Sequence, residues 1–322
     1  MMAYIMRRLV QTAVVIVLLS YFCYLLMTLM PGDPVDEMIM ANPEITSADI
    51  ERLRALHGLD QPVWVRYWNW VSTVASGDLG YSRTYRVPVT EILGPALINT
   101  FILAGAALLV ALIVAIPLGV WAALRQNSRV DYLVNLVAFA GISVPSFWIA
   151  IVLILVFAVY IPIFPAGGTG SIALDMTPWE VFTDRLKFLV LPVLSLSFLS
   201  IGTYVRYTRA AMLEAMSNDY IRTARAKGLS WPRVYLMHGF RNALIPLITI
   251  TALSFSTLFS GAIITETVFA YRGVGQLVFE SIQGNDFNVA MVAFMISVSM
   301  VLVMNLIADL LYGVADPRIT YS

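Results

Sequence analysis

The residues that ordinarily carry catalysis are few in this chain and poorly placed for it. There are two histidines, His57 and His238, and one cysteine, Cys23. The topology read below puts the histidines on opposite sides of a membrane, so they cannot share a metal. Cys23 sits in an apolar run, has no partner for a disulfide or a Cys-based metal site, and reads as structural filler. No His-Glu-x-x-His zinc helix and no Gly-x-Ser-x-Gly nucleophile elbow occurs. No Gly-x-x-x-x-Gly-Lys-Ser/Thr phosphate loop occurs either, so the chain is not expected to bind ATP in that way. An enzyme is the wrong class of answer. What chemistry remains is positive charge in one stretch and weakly polar hydroxyls in another.

The positive charge gathers around Glu214–Pro246, between two apolar runs. Arg206, Arg209, Arg222, Arg225, Lys227, Arg233 and Arg241 are seven of the chain's twenty Lys and Arg residues. The local signals predict two short helices joined by a tight turn. Ser217 or Asn218 is placed to cap the first, near Asp219, whose N–H groups otherwise lack partners. Arg225 and Lys227 fall in its last turn, at the negative end of the helix dipole. Gly228 supplies the left-handed conformation that ends a helix. Ser230 starts the second helix, with Pro232 in its first turn. Two plainer readings compete: a basic loop that only fixes orientation, and a DNA-binding helix-turn-helix. A linker tethered to a bilayer at both ends could hardly reach a major groove, and no nucleic-acid partner is expected.

The hydroxyls lie at Thr249, Thr251, Ser254, Ser256, Thr257 and Ser260, followed by Gly261. Ser254, Thr257 and Gly261 share one helical face. That polar stripe suits either close helix packing or the wall of a pathway for a solute that passes without tight binding. Glu266 and Asp309 sit near the ends of apolar runs. Each is either a buried functional charge, Glu266 on a translocation path, or a structural residue that reaches the interface by snorkelling.

These residues need a scaffold, and the composition names it. The chain has 322 residues, 59% of them apolar and 12% charged, with a mean hydropathy of +0.80. A soluble domain carries about a quarter charged residues. Six charge-free stretches are long enough to cross a hydrocarbon core, which takes about 20 helical residues. They run over 9–30, 98–123, 132–160, 188–205 (with Pro192), 244–264 and 288–308. The first is too long for the core of a cleavable signal and is expected to stay. An all-α, polytopic membrane protein follows. The span interiors are bare of charge, which disfavours an ion-coupled carrier. Arg7, Arg8, Arg125, Arg129, the seven basic residues around the elbow and Arg318 share one side, so both termini are expected in the cytoplasm.

The layout expected is a cytoplasmic N-terminus and first span over 1–30, an extracytoplasmic segment over 31–97, and a five-helix core over 98–322 with a cytoplasmic loop over 206–246. In the outer segment, Thr46-x-x-Asp49 reads as a capping box. Trp64, Tyr67, Trp68 and Val71 read as one apolar stripe, better suited to packing on the membrane or on neighbouring spans than to binding a ligand.

The string Asp219-Tyr220-Ile221-Arg222-Thr223-Ala224-Arg225-Ala226-Lys227-Gly228-Leu229, followed by His238-x-x-Arg241-Asn242-Ala243-x-x-Pro246, resembles the cytoplasmic signature loop of permease subunits of ABC importers. The resemblance extends to Pro31-Gly32-Asp33-Pro34, Gly77-Asp78-Leu79-Gly80, Gly261-Ala262-Ile263-Ile264-Thr265-Glu266-Thr267 and Asp309-Leu310-Leu311-Tyr312-x-x-x-Asp316-Pro317-Arg318. It is nearest the branch that imports dipeptides, oligopeptides, glutathione or nickel. It implies a type I ABC importer permease fold in a bacterial inner membrane. A homologous second permease, two ATPase subunits that hold the ATP and Mg, and an extracytoplasmic solute-binding protein are the implied partners. Peptide is the implied cargo, with nickel or glutathione as alternatives. Asp219, Tyr220, Arg222, Thr223, Ala224, Ala226, Lys227, Gly228 and Arg241 are the implied coupling residues, with Tyr220, Thr223, Ala224 and Ala226 as the contact surface. The general importer loop carries Glu-Ala-Ala before its glycine. Here Arg222-Thr223-Ala224 stands instead, so the usual acidic residue cannot be assumed to make the coupling contact.

Overall fold

A computed structural model describes residues 2–29, 46–56, 58–171 and 175–315. Among them the chain is helical, with no β-strand. In order come α1 (Met2–Thr28), α2 (Ser47–Leu56), α3 (Val63–Ala75), α4 (Val89–Leu124), α5 (Arg129–Ser143), α6 (Ser146–Ile154), α7 (Pro178–Ser217), α8 (Asp219–Ala226), α9 (Arg241–Val268), α10 (Val274–Gln283) and α11 (Phe287–Ala315). A π-helical stretch, Leu155–Tyr160, prolongs α6, and a second, Arg233–Phe240, runs straight into α9. Among the described residues four helices are long and apolar enough to cross a membrane: α1 from Met6, α4, α7, and α11 to Ala308. The segment expected as one span over 132–160 is instead a bent pair, α5 and α6, turned by 98°. The string Pro31-Gly32-Asp33-Pro34, His57 and the Asp316-Pro317-Arg318 ending lie outside the described residues.

The helix starts follow local chemistry. Thr46 and Asp49 form the expected capping box, the Thr46 hydroxyl donating to Asp49 at 2.6 Å and accepting from its N–H at 3.3 Å. Thr177 and Glu180 repeat it in front of α7, with Pro178 in the first turn. Ser128 caps α5 by accepting from the N–H of Asp131.

The chain divides into two compact units. The first comprises Met1–Pro95 and Leu277–Ser299. Its core is aromatic: Tyr24 of α1, Tyr67 of α3 and Met291 of α11 are buried, with Cys23 and Trp70 packed beside them. Tyr24 meets the rings of Tyr67 and Phe287 edge-on at 5.6 and 5.5 Å, geometry worth about 0.5–1.5 kcal/mol per pair beyond area burial. The Tyr67 hydroxyl lies 2.7 Å from that of Ser20. The expected stripe therefore divides. Tyr67 and Val71 turn inward, whereas Trp64 and Trp68 stay exposed, because α1 covers only one side of α3. Asp286 gathers the Ser82 hydroxyl at 2.6 Å and the Thr84 N–H at 3.0 Å, fixing the loop after Gly77-Asp78-Leu79-Gly80. This unit holds a cavity of about 650 Å³ lined in part by Arg54, Arg66, Arg83, Asn69 and Asn288.

The second unit comprises Ala96–Gln276 and Met300–Ser322. Its axis is α7, a 40-residue helix about 60 Å long, too long to be contained in a hydrocarbon core of about 30 Å. Pro192 interrupts its bonding ladder, but Leu191, Pro192 and Val193 are all buried, so protein surrounds the weak point. Helix α5 lies antiparallel against α7, and small residues bring the backbones together. Gly202 is the closest: a Cβ there would sit 2.4 Å from the Ala138 carbonyl oxygen. Ala111, Ala115, Ala138, Tyr204 and Val205 form the core alongside. Close approach of this kind holds membrane helices together where no hydrophobic drive separates tail from side chain.

Gly202→Leu should therefore force α5 off α7 and cost roughly 1–3 kcal/mol. The unfolding midpoint of the purified protein in detergent should fall. Gly105→Ala, where a Cβ meets nothing within 4 Å, should leave it unchanged.

Candidate functional site

The basic elbow is built from the ends of two long helices. Helix α7 runs to Ser217, Asn218 breaks it with extended backbone, and α8 begins at Asp219. Neither expected cap forms. The side chains of Ser217 and Asn218 both donate back to the Glu214 carbonyl at 2.8 Å, so they finish α7 rather than start α8. Gly228 takes φ +75°, and its N–H donates to Arg225 while that of Leu229 reaches Ala224. This is the left-handed exit expected. Pro232 stands in the first turn of the return arm, as expected, but that arm is no separate short helix. It passes through Arg233–Phe240 into α9 without interruption.

Inside the elbow, Ile221 and Ala224 of α8 pack on Val234, with Leu229 at the edge. Ala224, expected on the contact surface, is 6% exposed. This corrects the sequence reading: the return arm covers the Ile221–Ala224 side, and an eight-residue helix has room for one buried stripe. Asp219, Tyr220, Arg222, Thr223, Ala226 and Lys227 remain exposed, as do Gly228 and Arg241. Arg222 lies 3.6 Å from Asp219 with both side chains in solvent, a pair that contributes little. Arg225 reaches back to the Tyr235 hydroxyl and lies over its ring at 5.3 Å. Trp231 closes on the same ring. Arg225 thus binds the two arms together instead of only marking a helix end.

At the base of the elbow, Arg209 of α7 grips Asp131 of α5 with two bonds, Nε at 2.6 Å and Nη2 at 2.8 Å. Asp131 also accepts from the Asn127 N–H and from Asn135. The sequence reading counted Arg209 only as charge and passed over Asp131. Ser128-x-x-Asp131 was a visible helix start, but its partner is 78 positions away.

Of the residues expected on the translocation path, Ser254 is half-buried in α9. Thr257 and Gly261 are in the same helix, but their surroundings fall outside the described residues, as does the side chain of Asp309 in α11. Glu266 is 0% exposed, and both of its oxygens are engaged by the protein. Oε1 accepts from the Thr100 hydroxyl of α4 at 2.6 Å, and Oε2 from the Gln276 N–H at 3.1 Å. The same Thr100 oxygen accepts from the Val274 N–H at 2.8 Å. Gly273 leaves room, since a Cβ there would overlap the Glu266 carboxylate at 2.2 Å. Burial, and after it the Glu266 carboxylate, push the Tyr271 hydroxyl up to about 12. Glu266 in this structure staples the turn after α9 to α4 and presents no open face to a solute. Among the described residues no group of three His, Cys, Asp or Glu side chains could hold a metal.

Thr100 carries two bonds of that staple, so Thr100→Val should destabilise the fold by roughly 1–3 kcal/mol, while Thr100→Ser should behave as the parent. The unfolding midpoint and the yield of folded protein in detergent measure it.

Residues 115–321 match the family described as binding-protein-dependent transport system inner membrane component. Residues 1–94 match the N-terminal family of the same membrane components. The oligopeptide transport system permease protein AppB of Bacillus subtilis (strain 168) is 38% identical over the whole of both chains. The probable D,D-dipeptide transport system permease protein DdpB of Escherichia coli (strain K12) is 42% identical over 92% of this chain and 91% of that one. The dipeptide transport system permease protein DppB of the same strain is 35% identical over the whole of both. Among solved structures, a chain of the MetNI methionine ABC transporter in inward-facing conformations aligns with a TM-score of 0.58 at 15% identity, covering 70% of this chain and 97% of that one. That likeness concerns the fold alone. The chain is a multi-pass membrane protein of the binding-protein-dependent transport system inner membrane component family, in the DppB-like branch of the ABC permeases.

Proposed function

We propose that this chain is the permease subunit of an ATP-driven importer, forming half of a translocation pathway for di- or oligopeptides. The observation that carries it is the elbow: a short helix between two long ones, its apolar side sealed by Val234 and its polar side left outward. The full-length likeness to oligopeptide and dipeptide permeases sets the cargo class. In this reading six segments cross the inner membrane: α1, α4, the bent α5–α6 pair, α7, α9 and α11. Both termini face the cytoplasm, residues 31–97 lie outside, and residues 98–322 form the core that carries the loop 206–246.

A second permease of the same family completes the pathway. Two ATPase subunits, which hold the ATP and Mg, dock beneath, and a solute-binding protein delivers the peptide from outside. The docking face is Asp219, Tyr220, Arg222, Thr223, Ala226 and Lys227, with Gly228 and Arg241 at its edges and Ala224 supporting it from within. Because α8 is one residue from α7 and its return arm is continuous with α9, a push on the elbow reaches both helices through packed contacts. Ser254, Thr257 and Gly261 give α9 a weakly polar wall, and Glu266 holds the outer end of that helix.

Gly228→Asp tests this. A Cβ at Gly228 meets nothing within 4 Å, and Asp tolerates the left-handed region better than most residues, so the subunit should still fold and enter the membrane. Peptide-stimulated ATPase of the assembled complex in lipid should persist in part while uptake falls to background. Normal uptake would count heavily against the elbow's role. The parent complex should respond to di- and oligopeptides presented with the binding protein, and not to nickel.

A further inference from the structure

The bend between α5 and α6 leaves a gap in the backbone bonding. Helix α5 ends at Ser143, Val144 and Pro145 are extended, and α6 leaves at 98°. Pro145 has no N–H to offer Gly141. The next helix begins its own ladder, Trp148 and Ile149 both donating to the Pro145 carbonyl. Among the described residues no backbone hydrogen bond reaches the carbonyls of Gly141, Ile142, Ser143 or Val144. The Ser143 hydroxyl donates to the Phe139 carbonyl at 2.8 Å, so its one donor is already engaged within α5. The surface of the break is exposed at Ile142, Ser143 and Pro145.

Depth makes this consequential. The 15 residues of α5 extend about 22 Å from the Arg125 and Arg129 end, which places the break within a hydrocarbon core of about 30 Å. A carbonyl with no partner costs several kcal/mol in hydrocarbon, so irregular backbone at that depth must be covered by protein or line water. Pro192 of α7 meets the first condition, being buried. The α5–α6 break, exposed at Ile142, Ser143 and Pro145, is not covered in that way among the described residues.

We propose that the Val144–Pro145 break is a stretch of translocation wall that accepts hydrogen bonds from the N–H groups of a passing peptide main chain, its terminal ammonium included. This rests on the peptide-import reading and adds the contact it makes. A row made only of acceptors selects donors, and main-chain N–H groups are the donors common to peptides of any sequence. The net gain per bond is small, because each replaces a bond to water. That suits passage rather than capture.

The test uses the assembled importer in nanodiscs with its binding protein, in a Cys23→Ser background carrying Ile142→Cys, Ser143→Cys or Val144→Cys singly. A charged, water-soluble methanethiosulfonate should modify Ser143→Cys and Val144→Cys about tenfold or more faster than Leu133→Cys on the exposed side of α5, because only a thiol in water forms the thiolate. Trialanine during ATP turnover should slow that reaction several-fold, and an N-methylated tripeptide with a trimethylammonium terminus, which has no N–H donor left, should not. Slow reaction at all three positions, whether lipid or the second permease covers them, overturns the proposal. Rapid reaction that trialanine does not slow, or that the N-methylated peptide slows equally, also overturns it. Trialanine uptake by the Cys23→Ser importer is read in parallel, so that an importer moving no peptide is recognised as failure of the functional reading instead.

Discussion

Backbone amides inside hydrocarbon have only each other to bond with, and the rest of this molecule follows from how that demand is met or suspended. Helices such as α4 and α7 satisfy it internally, which is why they can be long and apolar. Where the ladder is interrupted, the surroundings decide the consequence. At Pro192 the neighbours are buried and the interruption is absorbed. At Pro145 the chain turns by 98°, and among the described residues the carbonyls just before it have no backbone partner. The same residue type serves packing in one place and offers a polar surface in the other.

The elbow end of α7 is held by the same economy of contact. The approach of α5 to α7 at Gly202 and the Asp131–Arg209 pair couple the two helices along their length. The elbow then hangs from α7 by a single extended residue and returns through continuous helix. Its interior is small, three buried side chains with Arg225 tying the arms through Tyr235. An interior this compact leaves its side chains few alternative arrangements. The opposite end of α9 is fixed differently, by a buried carboxylate holding a turn through neutral donors.

Much of this was legible in residue order. Hydropathy alone located the long helices, because a bilayer sets their minimum length whatever they pack against. Gly228 and Pro232 marked the elbow, since each has backbone requirements that do not depend on distant partners. Thr46-x-x-Asp49 formed the box its spacing foretold. The bend at Pro145 was read through, because a run of apolar residues looks the same whether it goes straight or turns.

What the sequence determined by itself was therefore membership in the membrane, the positions of its helical segments, and a punctuated basic loop between two of them, all governed by solvent and local backbone geometry. Tertiary structure decided which faces those helices show. Ala224 turned inward because Val234 folds back over it, Trp64 and Trp68 stayed out because α1 covers only the Tyr67 side, and Glu266 became a staple because Thr100, 166 positions away, meets it. A face is chosen by what packs against it. That partner lies far along the chain, where no local pattern can record it.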